Sequence, residues 1–168
     1  MNKKDFYYDL PKELIAQHPI EPRDHSRLLV ADRISGEIKH RRFYDLPDFL
    51  NGNDCLILND SRVLPARLFG EKETSGGVKR VEFLLLNPKG NDVWEVLLGP
   101  AKKAKINDIF SFGESLEAQI LEALDNGNRL VRFMYQGNFY DVLDKVGQMP
   151  LPHYITEKLE DGERYQTV

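Results

Sequence analysis

Short apolar segments separated by turn residues fill the stretch from 70 to 136, and this pattern constrains the fold more than any other feature. The segments are VKRVEFLLL, DVWEVLLG, DIFSFG, LEAQILEAL and NRLVRFMYQ, with Gly, Pro and Asn residues between them. Many short strands at regular spacing with such turns are typical of a small antiparallel barrel. The composition of LEAQILEAL favours a helix, but the flanking strands and the turn Asp125-Asn126-Gly127-Asn128 favour a strand. We predict an inserted antiparallel β-barrel over residues 70–146.

The flanking segments have a pattern typical of an α/β domain. DLPKELIAQHP and DLPDFLNG each predict a short helix, and the first should carry Leu14 and Ile15 inward. SRLLVADRISGEIKHRRF predicts a hairpin that turns at Ser35-Gly36, with core residues Leu28, Leu29 and Val30. DCLILND predicts a strand that is covered on both faces. We predict a partial α/β domain whose first segment is 1–69 and which resumes at 147–168.

Composition and missing motifs exclude several classes of protein. The chain has 168 residues, of which 41% are hydrophobic and 30% charged, far from a disordered composition. It has no signal peptide and no apolar run that could span a membrane, so we expect a cytoplasmic protein. The single cysteine, Cys55, can form neither an internal disulfide nor a metal site by itself, and we expect no metal. Glycine-rich phosphate loops and zinc-protease motifs are also missing from the sequence.

The stretch Asn59-Asp60-Ser61-Arg62 follows the apolar run 55–58 and is the leading candidate for a site. In open α/β sheets, ligands bind just beyond the carboxyl ends of strands, which is where this stretch would lie. Asp60, partly desolvated between two apolar runs, could accept a proton or hold a ribose hydroxyl, and Arg62 could bind a carboxylate or phosphate. The alternative is an ordinary turn, in which Asn59 or Asp60 caps its own backbone and Arg62 pairs with a neighbouring acid.

Basic residues cluster in three further stretches. In PRDHSR, Arg23 and Arg27 could bind phosphates while Asp24 orients one of them, or the group could be a plain surface ion pair. The other stretches are KHRRF, with Arg41 and Arg42, and AKKAK, with Lys102, Lys103 and Lys105 on a predicted barrel loop. Because the net charge is -4, any RNA contact must come from such local patches. Loops of small barrels often bind oligonucleotides, but each patch could equally be a solvated surface.

A resemblance to a known family runs through the chain almost from end to end. The stretches YDLPKELIAQHPIEPRDHSRLLV, HRRFYDLPDFL, LILNDSRVLPARLFG, PAKKAK, GQMPLPHYI and GERYQTV occur in that order. They resemble the amino-terminal half of the S-adenosylmethionine:tRNA ribosyltransferase-isomerases of queuosine biosynthesis. DLPxELIAQ and LNDSRVLPARLFG are long enough to be specific. Two positions depart from the family pattern: His153 replaces a proline, which argues against a shared catalytic role, and Gly99 stands where a basic residue is frequent.

The resemblance implies an α/β domain with an inserted barrel, and a tRNA-modifying transferase activity. The ribosyl part of S-adenosylmethionine would move to 7-aminomethyl-7-deazaguanine at the wobble position of a tRNA and isomerise, giving epoxyqueuosine and releasing adenine and methionine. S-adenosylmethionine would therefore be a consumed substrate, and no cofactor is implied. The implied partners are that tRNA and S-adenosylmethionine, and we expect a monomer with no membrane contact.

The implied chemistry assigns roles to the candidate residues. A sulfonium acidifies the adjacent ribose C5′ protons, so Asp60 is the candidate base, while Arg62 or Arg23 would bind the methionine carboxylate. The predicted catalytic residues are thus Asp60 and Arg62. The predicted substrate-binding residues are Arg23, Asp24, Arg27, Asn59, Ser61 and Arg67. The predicted RNA-binding residues are Lys102, Lys103, Lys105, Arg41 and Arg42.

Two other functions remain open at the level of the sequence. One is a non-catalytic RNA-binding module or fragment, and the other is a small-molecule transferase with no RNA partner, which the net negative charge mildly favours. Members of the family continue beyond RYQTV into a second half. We therefore expect a fragment, a truncated form or one piece of a cleaved enzyme, inactive when alone.

Overall fold

The computed structural model describes residues 2–167, and the chain divides into two compact units. The first unit comprises Met1–Asp60 with Pro152–Val168, and the second comprises Ser61–Leu151. The predicted insertion, residues 70–146, lies inside the second unit. Among the described residues, no helix has the length and apolar character needed to cross a membrane.

The first unit contains a two-stranded antiparallel hairpin formed by β1 (Arg27–Ala31) and β2 (Ile38–Arg42). This confirms the predicted hairpin. Its turn is closed by hydrogen bonds from the backbone N–H groups of Asp32 to Glu37 and of Gly36 to Asp32. Gly36 has a φ of 74°, a conformation that glycine adopts without steric cost. The prediction that Leu28, Leu29 and Val30 are all core residues is wrong for Leu29, because successive side chains on a strand point to opposite faces and Leu29 lies on the exposed one.

The two short helices predicted for this unit are 3₁₀ helices, a single turn at Lys12–Leu14 and a seven-residue segment at Phe43–Phe49. The turns of the first unit have the bounds Lys3–Phe6, Lys12–Leu14, Arg23–His25, Phe43–Phe49 and Gly162–Tyr165. Leu14 was expected to face inward but is 71% exposed, while Ile15 is half-buried. A short helix depends on burial of an apolar face, and Leu14 receives too little to extend one turn into an α-helix.

The predicted strand at residues 55–58 is wrong, since this run has no regular secondary structure. Ile57 is 88% exposed and Leu58 is 72% exposed. A strand requires a neighbouring strand to satisfy its backbone N–H and C=O groups, and the only pairing of the first unit among the described residues is that of β1 with β2. The apolar composition of the run was therefore not sufficient to form a strand.

The second unit is a closed six-stranded antiparallel barrel with the strand order β3-β4-β5-β8-β7-β6. The strands have the bounds β3 (Arg67–Thr74), β4 (Gly77–Gly90), β5 (Val93–Gly99), β6 (Ile109–Ser111), β7 (Leu116–Ala123) and β8 (Arg129–Tyr135). The predicted barrel is thus confirmed. So is the prediction that LEAQILEAL forms a strand, which is β7.

Aromatic side chains fill the barrel interior. Phe83 packs edge to face against Phe110 and Phe112, with ring centroids 5.3 and 5.0 Å apart. Gly70 lies against these rings, and a Cβ atom at this position would be 2.9 Å from the Phe112 ring. A glycine is therefore required for β3 to approach the aromatic core.

Helix α1 (Phe139–Val146) closes the barrel unit. The Asn138 side chain caps it by accepting a hydrogen bond from the Tyr140 N–H at 2.8 Å. Phe139, Val142 and Leu143 are buried in the same core as the barrel residues. Because α1 packs on the barrel, it belongs to this unit, and the chain then pairs with β3 through two hydrogen bonds between Gln148 and Arg67.

Candidate functional sites

The predicted catalytic stretch lies in an irregular segment, within which the division of the chain into two units falls. Asn59 and Asp60 end the first unit, whereas Ser61 and Arg62 begin the second. Asp60 and Arg62 are both exposed residues, so the expected partial desolvation of Asp60 is not a property of this structure. The missing strand explains this difference, because the stretch was expected to follow a buried strand.

Arg23 binds backbone carbonyls of the carboxyl-terminal segment. Its Nη2 donates to the Arg164 oxygen at 3.2 Å and to the Gln166 oxygen at 2.6 Å. Arg164 reciprocates with an ion pair to Glu21 at 2.7 Å and a hydrogen bond to the Ile20 oxygen at 2.8 Å. With Nη2 occupied, a ligand carboxylate would have to bind Arg23 through Nη1 or Nε.

Gln17 provides a second link between the same two segments. Its Nε2 donates to the Tyr154 oxygen at 3.0 Å, and its Oε1 accepts the Thr156 N–H at 2.8 Å. The predicted site residues Asp24 and Arg27 follow Arg23, and both are exposed. The structure therefore places Arg23 in the bonding that holds residues 152–167 to the rest of the first unit.

The basic hairpin β1–β2 carries cationic side chains on both faces. Arg27 lies opposite Arg42 in the register, and Leu28 lies opposite Arg41, so the two predicted RNA-binding arginines point to opposite faces. Every residue of β2 is exposed. The Arg42 Nη1 donates to the His25 oxygen at 3.0 Å, and the Arg41 Nη1 donates to the His40 oxygen at 3.1 Å.

Arg67 lies on the barrel wall, where its side chain is only 15% exposed. Its Nε forms an ion pair with Glu82 Oε1 at 2.8 Å, and its Nη1 donates to the Leu151 oxygen at 2.9 Å. Glu82 is on the adjacent strand β4. The bonding of this predicted substrate-binding residue therefore joins β3, β4 and the end of the barrel unit.

The predicted RNA-binding lysines lie on the loop between β5 and β6. A 3₁₀ turn, Ala101–Lys103, exposes Lys102 and Lys103, and Lys105 follows as a third exposed residue. Ala104 is buried in the barrel core between them. The loop is thus attached by an apolar residue while its ammonium groups face solvent.

Asp108 ends this lysine loop and joins it to β3. Its Oδ2 accepts the Lys105 N–H at 2.9 Å, and its Oδ1 accepts a hydrogen bond from the Lys72 ammonium group. Burial opposes ionisation, but the bond from Lys72, the bond from the Lys105 backbone and the nearby charge of Lys79 together lower the pKa of Asp108. The sequence prediction did not include Lys72, Lys79 or Asp108, because only the strand register brings them together.

Glu95 forms a second charged cluster, at the turn between β7 and β8. Its Oε1 accepts hydrogen bonds from Asn128 at 2.7 Å and Asn126 at 3.1 Å, and its Oε2 pairs with the Lys89 ammonium at 2.9 Å. These bonds, with that from Asn128 the strongest influence, lower the pKa of Glu95 to about 2. Within residues 2–167, His, Cys, Asp and Glu form no group of three that could hold a metal ion.

Together, the fold and these surfaces define a protein built around a small antiparallel barrel, with cationic groups on a barrel loop and on a separate hairpin. The model of a family described as queuosine biosynthesis protein matches residues 3–168. The chain therefore belongs to this family, which confirms the resemblance seen in the sequence.

Two related proteins show how much of the family the chain represents. It is 57% identical over 169 residues to the S-adenosylmethionine:tRNA ribosyltransferase-isomerase of Acetivibrio thermocellus, with 100% of this chain and 49% of that protein covered. It is also similar to a crystal structure of S-adenosylmethionine tRNA ribosyltransferase from Thermotoga maritima, with 36% identity, a TM-score of 0.42, and 85% of this chain and 48% of that chain covered. The chain spans about half the length of each.

Proposed function

We propose that this chain takes part in the S-adenosylmethionine:tRNA ribosyltransferase-isomerase reaction of queuosine biosynthesis. The observation that carries the proposal is the 57% identity, over the whole chain, to a protein of that name. In this reaction the ribosyl group of S-adenosylmethionine is transferred to 7-aminomethyl-7-deazaguanine at the wobble position of a tRNA and isomerised. Adenine and methionine are released, and S-adenosylmethionine is consumed as a substrate.

The proposed chemistry begins with removal of a proton from the ribose C5′ carbon, which the neighbouring sulfonium acidifies. A carboxylate can act as the base, and Asp60 has the required side chain in the stretch that joins the two units. Arg62 would bind the methionine carboxylate, since a guanidinium can form paired hydrogen bonds to a carboxylate. Arg23 is the alternative residue for that carboxylate. The other proposed substrate-binding residues are Asp24, Arg27, Asn59, Ser61 and Arg67.

The proposed contact with tRNA lies on the barrel. Lys102, Lys103 and Lys105 are exposed on a loop that the buried Ala104 attaches to the core. Ammonium groups presented in this way can neutralise phosphates without reading the base sequence. Arg41 and Arg42 of the exposed strand β2 would extend the contact. We also propose that the protein is a monomer and acts in the cytoplasm on tRNA.

Release of adenine tests the proposed reaction. Because the chain spans about half the length of its relatives, it is tested as part of the complete enzyme. The complete enzyme is incubated with S-adenosylmethionine and either a tRNA that carries 7-aminomethyl-7-deazaguanine at the wobble position or the same tRNA with guanine there. We expect adenine to be released only with the modified base. Equal release with both tRNAs, or with no tRNA, would contradict the proposal and support a small-molecule transferase.

A non-catalytic RNA-binding module is the second candidate, and the exposed lysine loop is the observation that favours it. The same experiment separates it from the first candidate. If the complete protein binds the modified tRNA but releases no adenine, the binding-module candidate is supported. Sensitivity of that binding to salt would still be expected, because phosphate contacts release counterions.

A further inference from the structure

One end of the barrel combines charged side chains from three parts of the second unit. On β3, Lys72 takes the next inward position after the buried Gly70, and Lys79 of β4 takes the inward position before the buried Val81. The two lysines are direct partners in the β3–β4 register. Asp108 precedes the buried Phe110 in the same way. These three side chains therefore extend inward-facing rows beyond the aromatic core to the barrel mouth.

Asp108 connects this mouth to the lysine loop. One carboxylate oxygen accepts a hydrogen bond from the Lys72 ammonium group, and the other accepts one from the Lys105 backbone N–H at 2.9 Å. Lys79 is close enough to act on the same carboxylate through its charge. The end of the loop that presents Lys102 and Lys103 is consequently bonded to the β3–β4 hairpin through Asp108.

Several lysines lie near Asp108. Its carboxylate interacts with the ammonium groups of Lys72 and Lys79, and the exposed lysines of the loop add further positive charge. The chain as a whole has a net charge of -4, so this cluster runs against the overall balance. Lysines are compact charges that suit phosphate groups, so we expect this surface to contact a nucleic-acid backbone.

We propose that the barrel mouth and the lysine loop form one phosphate-binding surface for RNA, in which Lys79 contacts a phosphate alongside Lys102, Lys103 and Lys105. Asp108 acts as a positioning residue that holds the loop against β3. This inference rests on the proposed function only in taking RNA as the partner. It adds a contact outside the loop, Lys79, and a support at the end of the loop, Asp108.

The salt dependence of RNA binding tests the role of Lys79. Binding of an unmodified tRNA transcript is measured over a range of salt concentrations for the wild-type chain, Lys79→Ala and the control Lys89→Ala. Lys89 lies on the same strand about 30 Å away along β4 and is paired with Glu95. Loss of one phosphate contact should lower the slope of log K against log salt by about 0.7 to 0.9 in Lys79→Ala only.

Two results would overturn the inference in different ways. If wild-type binding is steeply salt-dependent and both variants keep its slope, Lys79 makes no phosphate contact, while the proposed tRNA partner stands. If the wild-type chain shows no salt-dependent binding at all, the surface is not an RNA site and the proposed tRNA contact of the barrel fails as well.

Asp108→Asn tests the positioning role of Asp108. The change in local charge and the loosening of the loop should shift RNA affinity in opposite directions. Removing a negative charge beside several lysines should tighten RNA binding if only local charge matters. A looser lysine loop should weaken it, and asparagine still offers an acceptor for the Lys105 N–H, so the fold should persist. We expect weaker binding by a factor of about three to ten and a shallower salt slope. Tighter binding would overturn the role of Asp108.

Discussion

Glu95 shows at the scale of one residue how a carboxylate is built into the barrel wall. Its side chain is 11% exposed, and three donors surround it: Asn126 and Asn128 from the turn between β7 and β8, and Lys89 from β4. The bonds are made to the ionised form, which is why the pKa falls to about 2 despite the burial. Ionised Glu95 therefore fastens that turn to β5.

The pH dependence of stability should report this interaction. In the unfolded chain the carboxyl group has its ordinary pKa of 4.5, so above this value its contribution to folding is fully present. As the pH falls from 4.5 towards 2, the unfolded state gains a proton first and that contribution is lost. We expect the melting temperature of the wild-type chain to fall more steeply over this range than that of Glu95→Gln.

A matched control is Glu117→Gln, which removes an exposed carboxyl group from β7. The control should keep the wild-type dependence of melting temperature on pH. Asp108, whose pKa is also lowered, contributes in the same direction in both variants and cancels in the comparison. Parallel profiles for the wild type and Glu95→Gln would show that Glu95 does not stabilise the fold through its charge.

Asp60 is the proposed catalytic base. Asp60→Asn keeps the size of the side chain and removes the base, so turnover should fall by a factor of about one hundred or more while folding is retained. Asp48→Asn, at an exposed position of the turn Phe43–Phe49, serves as the control and should keep wild-type turnover. The measurement is the rate at which the complete enzyme, carrying either substitution, releases adenine with the modified tRNA. Unchanged turnover in Asp60→Asn would remove Asp60 as the base.

At the scale of elements, strand β3 depends on a glycine. A Cβ atom on Gly70 would lie 2.9 Å from the Phe112 ring and 3.0 Å from Phe110 Cβ. Both aromatic residues are buried and cannot move without disturbing the core. We expect Gly70→Ala to lower the free energy of unfolding by about 1 to 3 kcal/mol, the usual range for overpacking.

Chemical denaturation measures this effect, with Gly52→Ala as the control. A Cβ atom on Gly52 would have no neighbouring atom within 4 Å, so a methyl group there meets open space. Equal midpoints for Gly70→Ala and Gly52→Ala would contradict the packing described for β3. A change confined to Gly70→Ala would show that this contact limits the approach of β3 to the core.

Local sequence patterns predicted the elements whose partners are close in sequence. Strand β7 could be predicted from the turn that joins it to β8, although its composition favours a helix, because strand pairing overrode local propensity. The hairpin β1–β2 was predictable for the same reason. The run 55–58 was not, since its apolar character indicates burial but says nothing about which strand would lie beside it.

At the scale of the whole molecule, the features that the sequence did not predict depend on pairing between strands that are far apart in the sequence. Barrel closure joins β3 to β6 through Glu71 and Ser111, and β8 pairs with both β5 and β7. The grouping of Lys72 and Lys79 with Asp108 follows from that closure. The exposed lysines of the loop could be predicted from composition alone, whereas the residues that support them required the register.

The central claim of the proposal is that the lysine loop of the barrel contacts tRNA and does not contact S-adenosylmethionine. Its most direct test is to measure the dissociation constants of the protein for tRNA and for S-adenosylmethionine after Lys102 and Lys103 are both changed to Ala. The account predicts tRNA binding weakened by about tenfold at moderate salt, with affinity for S-adenosylmethionine unchanged. Equal weakening for both ligands, or unchanged tRNA binding, would contradict it.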